Sequence, residues 1–184
     1  MTSEPRSWPE NERKFRELVL YVSQKCASDP KFGATKLNKI LFYADFFAYG
    51  NTGNPITGFR YQKLPNGPAP RRLLPVRGQM VAEGELGIQE VPLRSGRKQK
   101  RTVNLRPPDL SVFRGDEIAL VDDVIDALRD ADAEACSEVS HRMVGWLVAK
   151  DREDIPYSTV FLSNAPLSEE EIQRGRELDE ATAV

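Results

Sequence analysis

The stretch Thr35–Tyr49 (TKLNKILFYADFFAY) most constrains how this chain can fold. Leu37, Ile40, Leu41, Ala44, Phe47 and Ala48 recur at helical spacing, and Phe42, Tyr43, Phe46 and Tyr49 carry the apolar surface well beyond one stripe. A helix that is apolar on most sides is buried on most sides. Residues 35–49 are therefore expected to form the central helix of the core, with Thr35 as its N-cap. Asp45 stands inside this run, where a carboxylate needs an ion pair, a hydrogen bond or an exposed edge. Arg60, Arg71 and Arg72 are its possible partners. A structural ion pair or a loop-ordering hydrogen bond suits it better than a catalytic role.

The flanking pattern supplies what packs on that helix. Phe15, Leu18, Val19, Val22 and Cys26 share one face of a preceding helix that Asp29-Pro30 is expected to stop. Gly50 to Gly58 reads as loop, Phe59 to Gln62 as a short strand, and Leu64-Pro65-Asn66-Gly67-Pro68-Ala69-Pro70 as too proline-rich for a regular element. Pro70 could open a helix, which Pro75 would then kink or delay to about residue 75. Residues 86–106 alternate as a hairpin turning at Ser95-Gly96. Asp116 can cap a helix with Ile118, Val121, Val124, Ile125 and Leu128 inside. A further helix is expected over 133–149, with a break near His141, followed by an extended segment from Ile155 to Leu162. Ser168 and Glu171 form a capping box for a charged helix over 168–180, docked only by Ile172 and Leu178. The expected architecture is α+β: a mainly helical single domain over 10–162, with a β-hairpin and short extra strands, then a charged C-terminal helix or tail over 163–184. Leu37, Ile40, Leu41, Ala44 and Trp146 belong to its core.

Of 184 residues, 26 are basic and 28 acidic, so bulk charge gives no reason to bind nucleic acid or an anionic membrane. There is no apolar run of transmembrane length, and the first 14 residues lack the apolar stretch of a signal peptide. A cytoplasmic location is expected. Cys26 and Cys136 are too few for a disulfide framework and lack metal-ligand spacing, and His141 is the one histidine. Cys136 and His141, five apart, point to different sides of a continuous helix, which argues against a nucleophile pair. Phosphate-cradling glycine motifs are absent. Neither catalytic residues, a metal nor a cofactor is expected.

Charge is nonetheless segregated. Arg94, Arg97, Lys98, Lys100 and Arg101 place five cations in eight residues at the hairpin tip, a possible electrostatic contact for phosphates or an acidic partner. No aromatic residue is interleaved for base stacking, so nucleic acid is the lesser reading. From Asp116 to Glu138 nine carboxylates face one Arg129. This suits a solvated face or a surface for a basic protein.

Several segments, in this order, resemble the Panacea domain, the SocA-like antitoxin family. They are Lys36-Leu37-Asn38-Lys39-Ile40-Leu41-Phe42-Tyr43-Ala44-Asp45-Phe46, Tyr49-Gly50, Pro55-Ile56-Thr57-Gly58, Phe59-Arg60-Tyr61 and Leu64-Pro65-Asn66-Gly67-Pro68-Ala69-Pro70. Asp109-Leu110-Ser111 with Phe113, Ser140-His141, Trp146 and Ile155-Pro156-Tyr157 follow. Asn66 stands where the family often has histidine, and Pro75 falls where it tends to continue a helix. The resemblance implies a non-enzymatic antitoxin of a bacterial or phage toxin–antitoxin system that binds a cognate toxin directly. SocA-like members can also act as adaptors to a ClpXP-type protease. Tyr43, Asp45, Tyr49, Asn66, Gly67, Pro68, Arg71, His141 and Tyr157 are the candidate motif or partner-binding residues. The alternative is a nucleic-acid-binding regulator that uses the hairpin tip.

Overall fold

Asn11 opens the first helix among the described residues: its Oδ1 accepts from Lys14 N at 2.9 Å, satisfying one of the donors a helix start leaves free. In the computed structural model, which describes residues 8–93, 95–165, 168–170 and 173–174, helix α1 runs Glu12–Lys25 and buries Phe15, Leu18, Val19 and Val22. It ends short of Asp29-Pro30, because Cys26 N already turns back to the Val22 and Gln24 carbonyls. Asp29-Pro30 instead belongs to the turn that follows, where Asp29 Oδ1 accepts from Lys31 N.

Helix α2, Ala34–Thr52, is the expected core helix, but longer. Its N-cap is Gly33, not Thr35, and it runs through Gly50 to Gly53, whose φ of +74° closes it in the left-handed region. Leu37, Ile40, Leu41, Ala44 and Phe46 are buried, whereas Phe47 is exposed. The helix touches α1, both sheets, two of the later helices and the last 3₁₀ turn, so it is the axis of the core. Trp146 packs against this core from its edge, half-buried.

The proline-rich stretch is more regular than its composition suggests. Strand β1, Tyr61–Gln62, pairs antiparallel with β2, Ala69–Pro70, placing Tyr61 opposite Pro70. Phe59 and Arg60 precede the ladder, and Gln62 also bridges Asp154. Pro70 thus ends a strand. Helix α3, Leu73–Ala82, starts two residues before Pro75. Pro75 lies in the first turn, where a missing amide hydrogen costs no helical bond, so it neither kinks nor delays the helix.

Strands β3, Leu86–Pro92, and β4, Lys98–Asn104, form the hairpin, with Leu86 opposite Asn104 and Pro92 opposite Lys98. Gly96 at φ +78° makes the turn. Arg94 lies outside the described residues. A 3₁₀ turn, Leu110–Val112, leads to α4, Gly115–Ala127. Its N-cap is Arg114, not Asp116, with Glu117 Oε2 accepting from Arg114 N at 2.8 Å. Helices α5, Ala133–His141, and α6, Val144–Val148, are separated next to His141, as the sequence suggested. The segment after Ile155 is not extended: Tyr157–Phe161 is a 3₁₀ turn packed on α2. The described residues form a mainly helical α+β domain with two small antiparallel sheets. Of the tail over 163–184 and its charged helix, Glu171, Ile172 and Leu178 lie outside the described residues.

Candidate functional site

Three charged side chains of α2 are buried almost completely: Lys36, Lys39 and Asp45. Each docks a different loop. Lys36 Nζ donates to Asp29 Oδ2 at 2.7 Å and to Arg129 O at 2.9 Å, tying the turn after α1 to the end of α4.

Lys39 holds the motif loop. Its Nζ donates to Asn66 O at 2.5 Å and Pro68 O at 3.2 Å, on either side of Gly67. Gly67 has φ +97°, and a Cβ there would run into Lys39 Nζ and Ser140 Oγ. Only glycine fits both constraints. Ser137 Oγ donates to the same Asn66 carbonyl at 3.1 Å. Burial pushes the Lys39 ammonium down to about 7, against a small raising effect of Cys136. Asn66 contributes its backbone carbonyl here, while the residue as a whole is exposed and Pro68 is buried. His141 stacks on Trp146, centroids 3.9 Å apart, and Trp146 Nε1 donates to Leu64 O at 3.2 Å. Burial, and then the charge of Lys39, hold His141 below the usual histidine range. Tyr43 is buried, and its hydroxyl has no hydrogen-bond partner among the described residues.

Asp45 does not meet an arginine. Its carboxylate accepts from Thr57 N at 2.7 Å, Thr57 Oγ1 at 2.5 Å and Tyr61 OH at 2.7 Å. Burial raises its pKa to about 6, and these hydrogen bonds hold it from rising further. This is the loop-ordering hydrogen bond, made by neutral donors. The three arginines stay outside: Arg71 donates to Asp154 and to Arg152 O, Arg72 to Glu10 and Glu12, and Arg60 lies near Glu10 and Asp154. Tyr157 OH donates to Phe59 O at 2.6 Å, and Tyr157 and Tyr49 pack together, 5.6 Å between centroids. The motif residues therefore fall into two groups on α2, Asn66, Gly67, Pro68 and His141 around Lys39 in one, and Asp45, Tyr49 and Tyr157 in the other, with Arg71 on the rim of the second and Tyr43 packed on Phe42 and Phe47.

The two charged surfaces are thinned by pairing. At the hairpin, Lys98 pairs with Glu90, Lys100 stands opposite Glu90, and Arg101 donates to Ala27 O. The Arg97 guanidinium has no partner among the described residues. On α4 and α5, Glu117 takes Lys14, Asp122 takes Tyr21 and Lys25, and Asp132 caps α5. Asp116 and Asp126 pair locally with Arg114 and Arg129. Asp123, Asp130, Glu134 and Glu138 remain exposed.

Sequence reasoning missed Lys36 and Lys39 as buried groups. The signal was present, since each interrupts an apolar helix as Asp45 does. Thr57 and Tyr61 stand in motif segments, but nothing local marked them as the partners of Asp45. Among the described residues no group of three or more His, Cys, Asp or Glu could hold a metal ion, and no helix is long and apolar enough to cross a membrane. Cys26 and Cys136 are both buried and free.

The fold and these loops define a helical α+β domain in which one buried helix fixes two polar-anchored loops. The model of the family described as "Antitoxin SocA-like, Panacea domain" matches residues 37–147, from within α2 to within α6, and the chain belongs to that family. No curated protein and no solved structure matches it.

Proposed function

We propose that this protein is an antitoxin that neutralises a cognate toxin by direct binding, acting in the cytoplasm as a binding protein rather than an enzyme. Membership of the SocA-like antitoxin family over residues 37–147 carries the reading. The internal anchoring supports it. Lys39 and Asp45 direct their hydrogen bonds inward to loops 66–68 and 57–61. Loops fixed in this way lose little conformational freedom when a partner binds.

The test is to express the small open reading frame beside this gene alone, then with this protein, while following growth. Relief of toxicity with co-purification of the two chains is the expected outcome. Relief without a stable complex, lost in a protease-deficient host, would replace sequestration by delivery to a ClpXP-type protease. No relief, with steep salt-dependent binding of DNA or RNA that is removed by neutralising Arg97, Lys98 and Lys100, would replace it by nucleic-acid regulation.

A further inference from the structure

Trp8, Tyr49, Tyr61 and Tyr157, from four separate parts of the chain, wall a cleft of about 200 Å³. Trp8 meets Tyr49 edge-on at 6.0 Å, and Tyr157 lies 6.2 Å from Tyr61, between ring centroids. The walls are fixed from behind. Tyr61 OH is held by Asp45 and Tyr157 OH by the Phe59 carbonyl. Gly58, at φ +73°, lets the Trp8-Pro9 segment lie down as the remaining wall, since a Cβ there would meet Pro9 O and Trp8 Cβ.

Among the described residues Arg60 is the one cation lining this cleft, and its two ion pairs are long. The Arg60 side chain is 58% exposed, 3.6 Å from Asp154 and 3.7 Å from Glu10. Its guanidinium makes no hydrogen bond among the described residues. Both carboxylates have closer partners: Arg71 lies 2.5 Å from Asp154 and Arg72 2.8 Å from Glu10. Arg60 is thus complementary to an incoming anion, and the rings beside it are complementary to an apolar or aromatic group.

We infer that this cleft receives one aromatic side chain of a protein partner, with an adjacent acidic residue meeting Arg60. The inference rests on the toxin-binding reading and names a contact for it. A cleft of this size suits one buried aromatic anchor, the kind of residue that dominates interface energies. The planar guanidinium matches a carboxylate fork. Asp154 beside Arg60 disfavours a doubly charged phosphate more than a singly charged carboxylate. A mononucleotide shares the ring-plus-anion chemistry and is the competing occupant to test.

The chain has two tryptophans, so 5-fluorotryptophan labelling provides a reporter in the cleft, Trp8, and a control away from it, Trp146 against His141. ¹⁹F NMR titration with Ac-Tyr-Glu-NH₂ is expected to move the Trp8 resonance saturably and leave Trp146 in place. Ac-Ala-Glu-NH₂ should not move it. Ac-Tyr-Gln-NH₂, or the Arg60→Gln protein, should bind about tenfold more weakly, the scale of one lost charge-assisted hydrogen bond. An unshifted Trp146 in Arg60→Gln confirms that the variant is folded. The inference is overturned by a still Trp8 resonance, by equal shifts with the alanyl peptide, by undiminished affinity in Arg60→Gln, or by adenosine monophosphate binding more tightly than the tyrosyl peptide. Because this readout needs no toxin, absence of neutralisation in co-expression would reject the functional reading without altering it. Neutralisation unaffected by Arg60→Gln and Tyr49→Ala would instead reject the cleft as the toxin contact.

Discussion

Lys39 and Gly67 are built around each other: the ammonium donates to the carbonyls on both sides of the glycine and fills the space where a Cβ would stand. The contact joins a buried charge in the central helix to the loop that carries the family resemblance. Replacing Gly67 by Ala should lower stability by about 2–4 kcal/mol, from the left-handed backbone and the overpacking together. Asn66→Ala and Asn66→His, which keep the carbonyl, should stay within about 0.5 kcal/mol. Urea denaturation of the three variants measures the contrast. A destabilised Asn66→Ala would move the anchoring role from its backbone to its side chain.

Lys39 predicts a pH effect of defined sign. Its folded pKa, near 7, lies below the ordinary 10.5. Between those values the unfolded chain holds the extra proton, so stability from this group rises with pH. It is fully present above the ordinary value and is lost as pH falls towards 7. The stability of the natural chain minus that of Lys39→Met should increase from pH 7 to pH 10. A difference that stays flat would mean that the ammonium is solvated.

Asp45 predicts the opposite slope. Its folded pKa, about 6, lies above the ordinary 3.8. Here the folded chain holds the extra proton, so the contribution is fully present below the ordinary value and is lost as pH rises through 6. Measured against Asp45→Asn, the advantage of the natural residue should shrink between pH 4 and pH 6.

Asp45→Ala leaves Thr57 N, Thr57 Oγ1 and Tyr61 OH without that acceptor and should cost about 3 kcal/mol. Circular dichroism and neutralisation followed together separate two roles. Joint loss is expected from a loop anchor; lost neutralisation with intact folding would make Asp45 a partner contact.

Arg106 clamps two carboxylates, Glu17 in α1 and Glu85 in the turn before β3. It donates to both oxygens of Glu17, at 2.9 and 2.7 Å, and to Glu85. Glu17 is nearly buried, so Arg106→Ala should cost about 3 kcal/mol by leaving that charge poorly matched. Arg106→Lys should recover only part of it, because one ammonium cannot reproduce the fork. Thermal unfolding of both variants tests this.

Much of the framework was legible in local pattern. The apolar run over 35–49 announced a buried helix, the hairpin turning at Ser95-Gly96 formed within 86–106, and the helix break beside His141 was visible. Boundaries were less legible. Gly50 looked like the start of a loop but remained helical, because α2 continues to its left-handed cap at Gly53. Pro75 looked disruptive but occupies a first turn.

The sequence by itself determined the longer helices and the hairpin and most of their apolar faces, since these follow from spacing along several turns, but not the short elements at Ala69–Pro70 and Tyr157–Phe161. It also determined the family, through an ordered set of short motifs. Tertiary structure alone decided what the buried polar groups meet. Asp45 finds Thr57 and Tyr61 instead of an arginine, and Lys39 finds the carbonyls beside Gly67. The physical reason is that a buried polar atom must be satisfied by whichever donor or acceptor the docked loops bring near, and that pairing depends on chain geometry over tens of residues. The same geometry leaves Arg60 open beside a wall of rings.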